Sequence, residues 1–263
     1  MILELQNVRC GYGKKVVVDG FSAKVSSGDI FCLLGPNGVG KTTLFKTILG
    51  LLPLLGGSIT CDGENILNAS PKEYAKLIGY VPQAHTPPFA FTVFDVVVMG
   101  RTIHQGILGR PGKKDYAFAM EVMERLGILF LRDRVYTELS GGERQMVIIA
   151  RALTQEPAFL IMDEPTANLD FGNQAKVLTN VKKLAREGLG IIMTTHSPNQ
   201  VFQCDADVAL LKSNNEFIYG KAHEVLLENT LFDAYGIPVA VAKIDYRNNT
   251  LHVCQSLLDE KHD

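Results

Sequence analysis

The 263-residue sequence has no apolar run that approaches the ~18–20 residues needed to span a bilayer. Its longest apolar runs, such as Ala158–Met162, have only the length of a strand. The N-terminal segment Met1–Leu5 also lacks the basic start and long apolar stretch of a signal peptide. We therefore expect a chain that is made and kept inside the cell, and that needs another protein to hold it at any membrane.

Strong charge imbalance and paired cysteines are also missing. The formal net charge is -2, whereas nucleic-acid-binding domains are usually strongly basic, so we expect no nucleic-acid partner. The five cysteines are scattered without a CxxC pair, which is typical of reduced thiols in a cytosolic compartment. The hydrophobic fraction of 46% is sufficient for the core of a single α/β domain.

Alternating polar and apolar residues predict an antiparallel sheet near the N-terminus. Residues 2–9 alternate, 15–25 and 57–62 are also strand-like, and turns are expected around Gly11–Gly13 and Gly56–Gly57.

The next pattern is that of a parallel sheet with helices. Ile30–Leu34 is a continuous apolar strand followed by a glycine-rich loop and a helix, as in a βα unit. Ser70–Glu73 has the residues of a helix N-terminus with a capping box. Residues 92–137 favour helix with an interruption from Gly106 to Gly112, and Pro238–Gln255 favours a hairpin that turns at Asn248 and Asn249.

From Ser140 onward, strands and helices alternate. The expected order is a helix to about Gln155, a strand at 158–162, a helix at 171–187 and a strand at 189–195. This alternation predicts a parallel sheet, with residues about 85–150 as a helical insertion.

The segment Gly35–Thr43 matches the P-loop pattern G-x-x-x-x-G-K-[ST] without deviation. Its position between an apolar strand and a helix suits a loop whose backbone N–H groups wrap a triphosphate. Side chains must be absent where such a loop bends around phosphate, which accounts for the glycines. Lys41 would reach the β- and γ-phosphates, and the Thr42 hydroxyl would bind Mg²⁺. The expected ATP-binding residues are Gly35, Pro36, Asn37, Gly38, Gly40, Lys41, Thr42 and Thr43.

Two carboxylates follow the buried strand at 158–162. Because parallel strands share one carboxyl edge, Asp163 and Glu164 should lie beside the P-loop. Asp163 is predicted to hold Mg²⁺, directly or through water, and Glu164 to position and polarise the attacking water. Together with the P-loop, these residues predict ATP hydrolysis.

A second helix start has the composition of an anion site. Ser140 and Glu143 have capping-box spacing, which would serve any helix. Gly141 and Gly142, however, each lower helix propensity by roughly 1 kcal/mol relative to alanine. Their presence makes sense if phosphate must approach this helix closely.

With these motifs in order, the sequence resembles the nucleotide-binding subunits of ABC transporters. Leu139–Glu143 resembles the family's signature, with Ser140, Gly141 and Gly142 as nucleotide-binding residues. Gln83 resembles the Q-loop glutamine, a catalytic residue and magnesium ligand. Asp170 resembles the D-loop aspartate, His196 the catalytic switch histidine, and Tyr12 the aromatic residue that stacks on adenine. Taken singly, each of these residues is also an ordinary polar or packing residue.

The resemblance implies an α/β P-loop NTPase fold over a single domain, residues 1–263. Its parts would be a RecA-like parallel-sheet core, an N-terminal antiparallel subdomain, a helical subdomain at about 85–150 and a C-terminal extension at about 221–263. It also implies that two copies close head to tail over two ATP molecules, each held between the P-loop of one copy and the signature helix of the other.

A narrower resemblance points to importers of the iron–siderophore, haem, cobalamin and molybdate group. Thr92–Arg101, Leu169–Gln174 and Thr195–Gln200 resemble segments of that group. Many relatives have aspartate after the switch histidine, whereas this sequence has Ser197 and Pro198. This departure can alter how the histidine loop is held, but the importer group tolerates such variants. The resemblance implies a subunit at the cytoplasmic face of the membrane that energises uptake through permease subunits and, indirectly, a substrate-binding protein.

The alternative is a soluble ABC ATPase of translation or DNA repair. Translation-type members typically carry two motif sets in one chain, and repair-type members contain a long coiled coil. This sequence has one motif set and no sustained heptad, which weakens the alternative without excluding it.

Overall fold

The structure is a computed structural model that describes residues 1–83, 90–105, 109–213, 216–247 and 249–257. The strands are β1 (Ile2–Tyr12), β2 (Lys15–Ser26), β3 (Ile30–Leu34), β4 (Leu54–Cys61), β5 (Glu64–Asn65), β6 (Ile78–Val81), β7 (Phe159–Met162), β8 (Gly190–Thr195), β9 (Asp207–Leu211), β10 (Phe217–Lys221), β11 (Val239–Tyr246) and β12 (Asn249–Ser256). The α-helices are α1 (Lys41–Ile48), α2 (Pro71–Leu77), α3 (Val93–Val98), α4 (Lys113–Arg125), α5 (Gly141–Leu153), α6 (Phe171–Arg186), α7 (Pro198–Cys204), α8 (Ala222–Val225) and α9 (Glu228–Tyr235). Short 3₁₀ turns cover Ile66–Asn68, Met99–His104, Leu129–Leu131 and Tyr136–Glu138.

The predicted antiparallel sheet is present, with the strand order β2-β1-β4-β5. The turn expected around Gly11–Gly13 lies at Gly13 and Lys14. The prediction of a turn at Gly56–Gly57 is wrong, because both glycines lie inside β4. The register of β1 against β4 shifts there, and a Cβ at Gly57 would lie 2.3 Å from Asn7 O. Gly57 therefore serves a close strand approach at a bulge.

The second sheet has the order β10-β9-β3-β8-β7-β6. Its neighbouring strands from β9 to β6 pair in parallel, and β10 pairs antiparallel with β9. The prediction of a buried parallel strand at Ile30–Leu34 is confirmed, since all five residues are buried. Parallel pairing brings the carboxyl ends of β3, β8, β7 and β6 to one edge of the sheet.

Alternation along β3 divides the core between the two faces of this sheet. Phe31 and Leu33 pack with α1 and the antiparallel sheet. Ile30, Cys32 and Leu34 point to the other face, where the cluster includes residues of α3 to α7. The strand therefore has no polar face, which is why its sequence is an unbroken apolar run.

The helical predictions agree with the structure. Ser70 and Glu73 form both hydrogen bonds of a capping box at α2. The segment from 92 to 137 contains α3, α4 and the 3₁₀ turns, and α3 packs on both α4 and α5. Of the predicted interruption, residues 106–108 lie outside the described residues.

The predicted C-terminal hairpin is also present. β11 and β12 pair antiparallel, with Tyr246 opposite Asn249 at the turn, while Asn248 lies outside the described residues. Within the part of the chain that the structure describes, no helix combines the length and apolar character that a membrane crossing requires.

Candidate active site

The glycine-rich loop joins β3 to α1, as its sequence predicts. Gly35, Gly38 and Gly40 have φ angles of 149°, 83° and 109°, in a region that L side chains rarely adopt. At Gly35 a Cβ would lie 2.5 Å from Leu211 O, and at Gly40 it would lie 2.6 Å from Val18 Cγ2. Packing on both sides of the loop therefore adds a steric requirement for two of these glycines.

Lys41 begins α1 and points back into the loop. Its Nζ donates hydrogen bonds of 2.6 Å to Gly35 O and 2.8 Å to Pro36 O, and the residue is only 6% exposed. Burial lowers the pKa of this ammonium, and the negative charges of Glu164 and Asp163 oppose that change. The lysine is thus buried within electrostatic reach of both carboxylates.

The rest of the loop is more open. Asn37, Gly38 and Thr42 are exposed, whereas Thr43 is buried and its carbonyl accepts a hydrogen bond of 3.0 Å from Thr47 Oγ1. The loop therefore presents a backbone turn and the Thr42 hydroxyl to solvent.

Asp163 and Glu164 follow β7 and are held by the adjacent strand β8. Thr194 Oγ1 donates a 2.7 Å hydrogen bond to Asp163 Oδ1 and accepts one of 2.8 Å from the Glu164 backbone N–H. Glu164 has φ of 46°, which is uncommon for a residue with a side chain. Thr194 therefore orients one carboxylate and helps to fix the backbone of the next.

His196 follows β8, and its imidazole contacts one carboxylate of this pair, that of Glu164. Its Nε2 hydrogen-bonds to Glu164 Oε1. The preceding residue, Thr195, donates a 2.7 Å hydrogen bond to Gln200 Oε1, which also accepts one of 2.9 Å from Thr166 Oγ1. The segments that carry Glu164 and His196 are thus joined through Gln200.

Gln83 and Tyr12 lie at the margins of this arrangement. Gln83 comes two residues after β6, the edge strand next to β7, and is exposed. Tyr12 ends β1 and is 49% exposed, with its backbone paired to Lys15 of β2. Each has a side chain accessible to a ligand.

Ser140, Gly141, Gly142 and Asp170 belong to a second cluster where α5 meets α6. Ser140 forms the predicted capping box with Glu143, and Asp170 Oδ1 accepts a 2.9 Å hydrogen bond from Asn173 N as the N-cap of α6.

Packing within this cluster gives Gly142 a role that sequence reasoning missed. A Cβ at Gly142 would lie 2.5 Å from Asn173 Cγ, so this glycine leaves room for a side chain of the same chain. Gly141 is exposed, and a Cβ there would lie 3.4 Å from Leu169 Cδ2. Of the two glycines, only Gly141 has an open side.

Thr194, Thr166 and Gln200 were also missed by sequence reasoning. All three are buried polar residues: Thr194 lies near the end of β8, Thr166 follows β7, and Gln200 lies in α7. The available signal was the pair Thr194–Thr195, which is polar at the end of an apolar run and immediately precedes His196.

Comparison with known proteins identifies the family. A family model described as ABC transporter matches residues 18–167. An ABC transporter ATP-binding protein of Haemophilus influenzae is 44% identical over 230 residues, covering 87% of this chain and 88% of the relative. This chain belongs to the ABC transporter family. A Helicobacter pylori protein named for iron chelatin transport is 37% identical over 241 residues, covering 91% of this chain and 94% of the relative. Other relatives of this ABC protein carry names for molybdate import, manganese transport and hemin import.

A solved structure agrees with the family assignment. The ABC domain superposes on an ABC transporter of metal-chelate type, captured in an inward-facing conformation, with a TM-score of 0.87. The two chains are 31% identical and each is covered to 97%. The predicted P-loop NTPase fold is confirmed, and the protein is an ATP-binding domain whose ATPase activity is coupled to transport.

Proposed function

We propose that this ABC domain hydrolyses ATP to drive uptake of a metal chelate or a related cofactor or oxyanion through a separate membrane permease. The observation that carries the proposal is the convergence of Lys41, Asp163, Glu164 and His196 at one edge of the parallel sheet. The cargo class proposed is iron–siderophore, haem, cobalamin or oxyanion. The names of relatives, which refer to iron chelatin, molybdate and hemin, support its iron-chelate, haem and oxyanion members, whereas cobalamin rests on the sequence resemblance alone. The subunit would work at the cytoplasmic face of the membrane.

In this proposal Glu164 accepts a proton from the water that attacks the γ-phosphate in line. His196, which contacts Glu164, is a second group that can donate a hydrogen bond to the γ-phosphate. Lys41 and the backbone N–H groups of Gly38 and Gly40 stabilise negative charge that develops on the phosphate oxygens.

The residues present fit a Mg²⁺ ion bound together with ATP. Mg²⁺ prefers oxygen ligands and commonly uses one or two protein ligands plus substrate phosphates. The exposed Thr42 hydroxyl and the Asp163 carboxylate supply such oxygens, with the Gln83 side-chain carbonyl as a further ligand. Among the described residues, no group of three or more His, Cys, Asp or Glu is placed to hold a metal ion, so the phosphates of ATP would have to complete the coordination. When bound, the ion would neutralise negative charge on the phosphates.

We also propose that the working unit is a head-to-tail pair of this chain. Ser140 and Gly141 are exposed at the N-terminus of α5, where backbone N–H groups and the helix dipole favour an anion. The partner copy would bring this cluster, with Gly142 and Asp170, to the γ-phosphate held by the first copy. Tyr12 would stack on the adenine.

The domain organisation follows from the same proposal. Residues about 85–150 would form the helical subdomain that, with Gln83, reports nucleotide state to the permease. Residues about 221–263 would form a C-terminal extension of the single domain 1–263. A substrate-binding protein would deliver cargo on the far side of the membrane.

Affinity purification of the tagged full-length chain from gently solubilised cell membranes, in its native source, tests this function. We expect a multi-span membrane protein at a stoichiometry of one permease subunit per chain. We also expect membrane vesicles containing the complex to take up a metal chelate only with hydrolysable ATP. Recovery of ribosomes or DNA in place of a membrane protein would contradict the proposal.

A further inference from the structure

The C-terminal hairpin is joined to α7 by one side chain. Asn199 Nδ2 donates a 3.0 Å hydrogen bond to Cys254 O, and Asn199 Oδ1 accepts one of 2.7 Å from Cys254 N. Cys254 lies opposite Val241 in the hairpin. A single amide therefore satisfies both backbone polar groups of a residue on β12, as a neighbouring strand would do at an open sheet edge.

The other strand of the hairpin is held in a similar way. Glu228 Oε1, at the start of α9, accepts a 3.0 Å hydrogen bond from Val241 N. His252 of β12 stacks on Phe202 of α7, with ring centroids 5.3 Å apart. Val241 and Cys254 also pack against the main core cluster. The hairpin is thus docked on α7 and α9 by polar and apolar contacts.

The same helix α7 is joined to the candidate active site. Asn199 comes three residues after His196. Gln200, the next residue, is 9% exposed. Its Oε1 accepts hydrogen bonds from Thr195, the last residue of β8, and from Thr166, in the segment after β7. One face of α7 therefore contacts the strand ends that carry the site, and another contacts the hairpin.

We propose that Asn199 is a positioning residue for ATP hydrolysis. By anchoring α7 to the C-terminal hairpin, it holds the imidazole of His196 against Glu164. The inference rests on the proposed roles of His196 and Glu164 in hydrolysis, and it gives the C-terminal hairpin a part in the reaction.

The length of α7 explains why an external anchor matters. The helix has seven residues, and helices this short are marginal without tertiary contacts. Ser197 N donates to Thr195 Oγ1 at 3.1 Å, so the connection between β8 and α7 is tight and a shift of α7 moves the histidine. Small displacements of a catalytic group from its reactive geometry lower the rate strongly.

Two substitutions weaken the docking of the hairpin, one at each of its two strands. Asn199→Ala removes both hydrogen bonds to Cys254, whereas Glu228→Ala removes the bond to Val241 and leaves α7 unchanged. Asn180→Ala is the matched control, because within the described part of the chain the Asn180 amide donates its one side-chain hydrogen bond to Lys176 O, inside α6.

Single-turnover and steady-state hydrolysis of radiolabelled ATP test the inference in two backgrounds, wild type and His196→Ala. In the wild type, we expect Asn199→Ala to lower kcat by about fivefold, with KM for ATP changed by less than about twofold. Glu228→Ala should give a smaller loss, and Asn180→Ala none. In the His196→Ala background, neither Asn199→Ala nor Glu228→Ala should lower the rate further, because groups that act as a unit are not additive.

The inference is overturned if folded Asn199→Ala protein keeps the wild-type kcat, or if Asn199→Ala costs the same factor in both backgrounds. Cooperative thermal unfolding and retained ATP binding establish that the variant is folded. If Asn199→Ala does not fold, Glu228→Ala in the two backgrounds decides by the same criteria. Failure of the proposed function itself would be distinct, since His196→Ala alone would then retain the wild-type kcat.

Discussion

Thr194 holds the Asp163 carboxylate through a 2.7 Å hydrogen bond from its hydroxyl to Oδ1. The same hydroxyl oxygen accepts a hydrogen bond from the backbone N–H of Glu164, and Thr194 is only 1% exposed. Valine has nearly the same shape but no hydroxyl. A Thr194→Val substitution would therefore leave the partly buried Glu164 N–H and the adjacent Asp163 carboxylate without this partner.

We expect Thr194→Val to lower the free energy of unfolding by about 1–3 kcal/mol, and to lower kcat for ATP as the two carboxylates lose their orientation. Thr154→Val is a matched control, because Thr154 is fully buried and its hydroxyl donates to Val97 O in the helical region. Urea denaturation and steady-state ATPase assays measure both quantities. Equal losses of stability with an unchanged kcat in both variants would refute the orienting role.

Substitution of Glu164 by glutamine tests the proton acceptor. Glutamine preserves the size of the side chain but cannot accept the proton, so we expect hydrolysis to fall by at least about 100-fold while ATP binding is retained. We also expect ATP to convert Glu164→Gln protein to a stable dimer, measured by size-exclusion chromatography with light scattering. Glu121→Gln, on an exposed position of α4, should keep the wild-type rate and remain monomeric after turnover. Near-normal hydrolysis by Glu164→Gln would rule out this carboxylate as the base.

Glu143 links the capping box of α5 to stability at low pH. The Ser140 backbone N–H donates a 2.8 Å hydrogen bond to Glu143 Oε2 and lowers the pKa of that carboxyl. Because the pKa of Glu143 is lower in the folded state, its carboxylate contributes to the stability of the fold. This contribution is complete above the pKa of the unfolded state, about 4.3, and is lost as the pH falls through the pKa of the folded state.

Glu143→Gln should therefore be less stable than the wild type at pH 7, and the difference should shrink as the pH falls below about 4.3. Urea denaturation at a series of pH values measures it. Glu124→Gln, at an exposed position of α4, serves as the surface control. A stability difference that stayed constant from neutral to acidic pH would contradict the linkage.

Gly142 and Asn173 should be energetically coupled. A Cβ at Gly142 would lie 2.5 Å from Asn173 Cγ, so we expect Gly142→Ala to lower the free energy of unfolding by about 1–3 kcal/mol. A Cβ at Gly141 would make only ordinary van der Waals contact, so Gly141→Ala should change the free energy of unfolding by less than about 1 kcal/mol.

Removing the Asn173 side chain should relieve the clash. The double variant Gly142→Ala/Asn173→Ala is expected to be more stable than the sum of the two single effects predicts, by about 0.5–3 kcal/mol. Urea denaturation of the four proteins completes the cycle. Strict additivity would show that the glycine is not required by this contact.

Local features of the sequence determined the elements that build the site. The apolar run Ile30–Leu34 predicts a strand, and the glycines after it predict a loop that leads into a helix. Both are visible in the sequence because a strand buried on both faces needs consecutive apolar residues, and left-handed backbone angles favour glycine. The acidic residues after β7 and the histidine after β8 can also be predicted, because each follows an apolar run that predicts a strand. In contrast, the sequence predicts a turn at Gly56–Gly57 where the structure has a bulge inside β4, since a bulge and a turn use the same residue type.

Only the tertiary structure decided which side chains meet. Thr194 and Asp163 are 31 residues apart, and Asn199 and Cys254 are 55 apart. Their contacts depend on the order of the strands in the sheet and on where the hairpin docks, and neither is encoded in a local pattern. The sequence thus predicted a candidate ATP site at the carboxyl ends of the parallel strands, whereas long-range packing selected the residues that hold its carboxylates and its histidine in place.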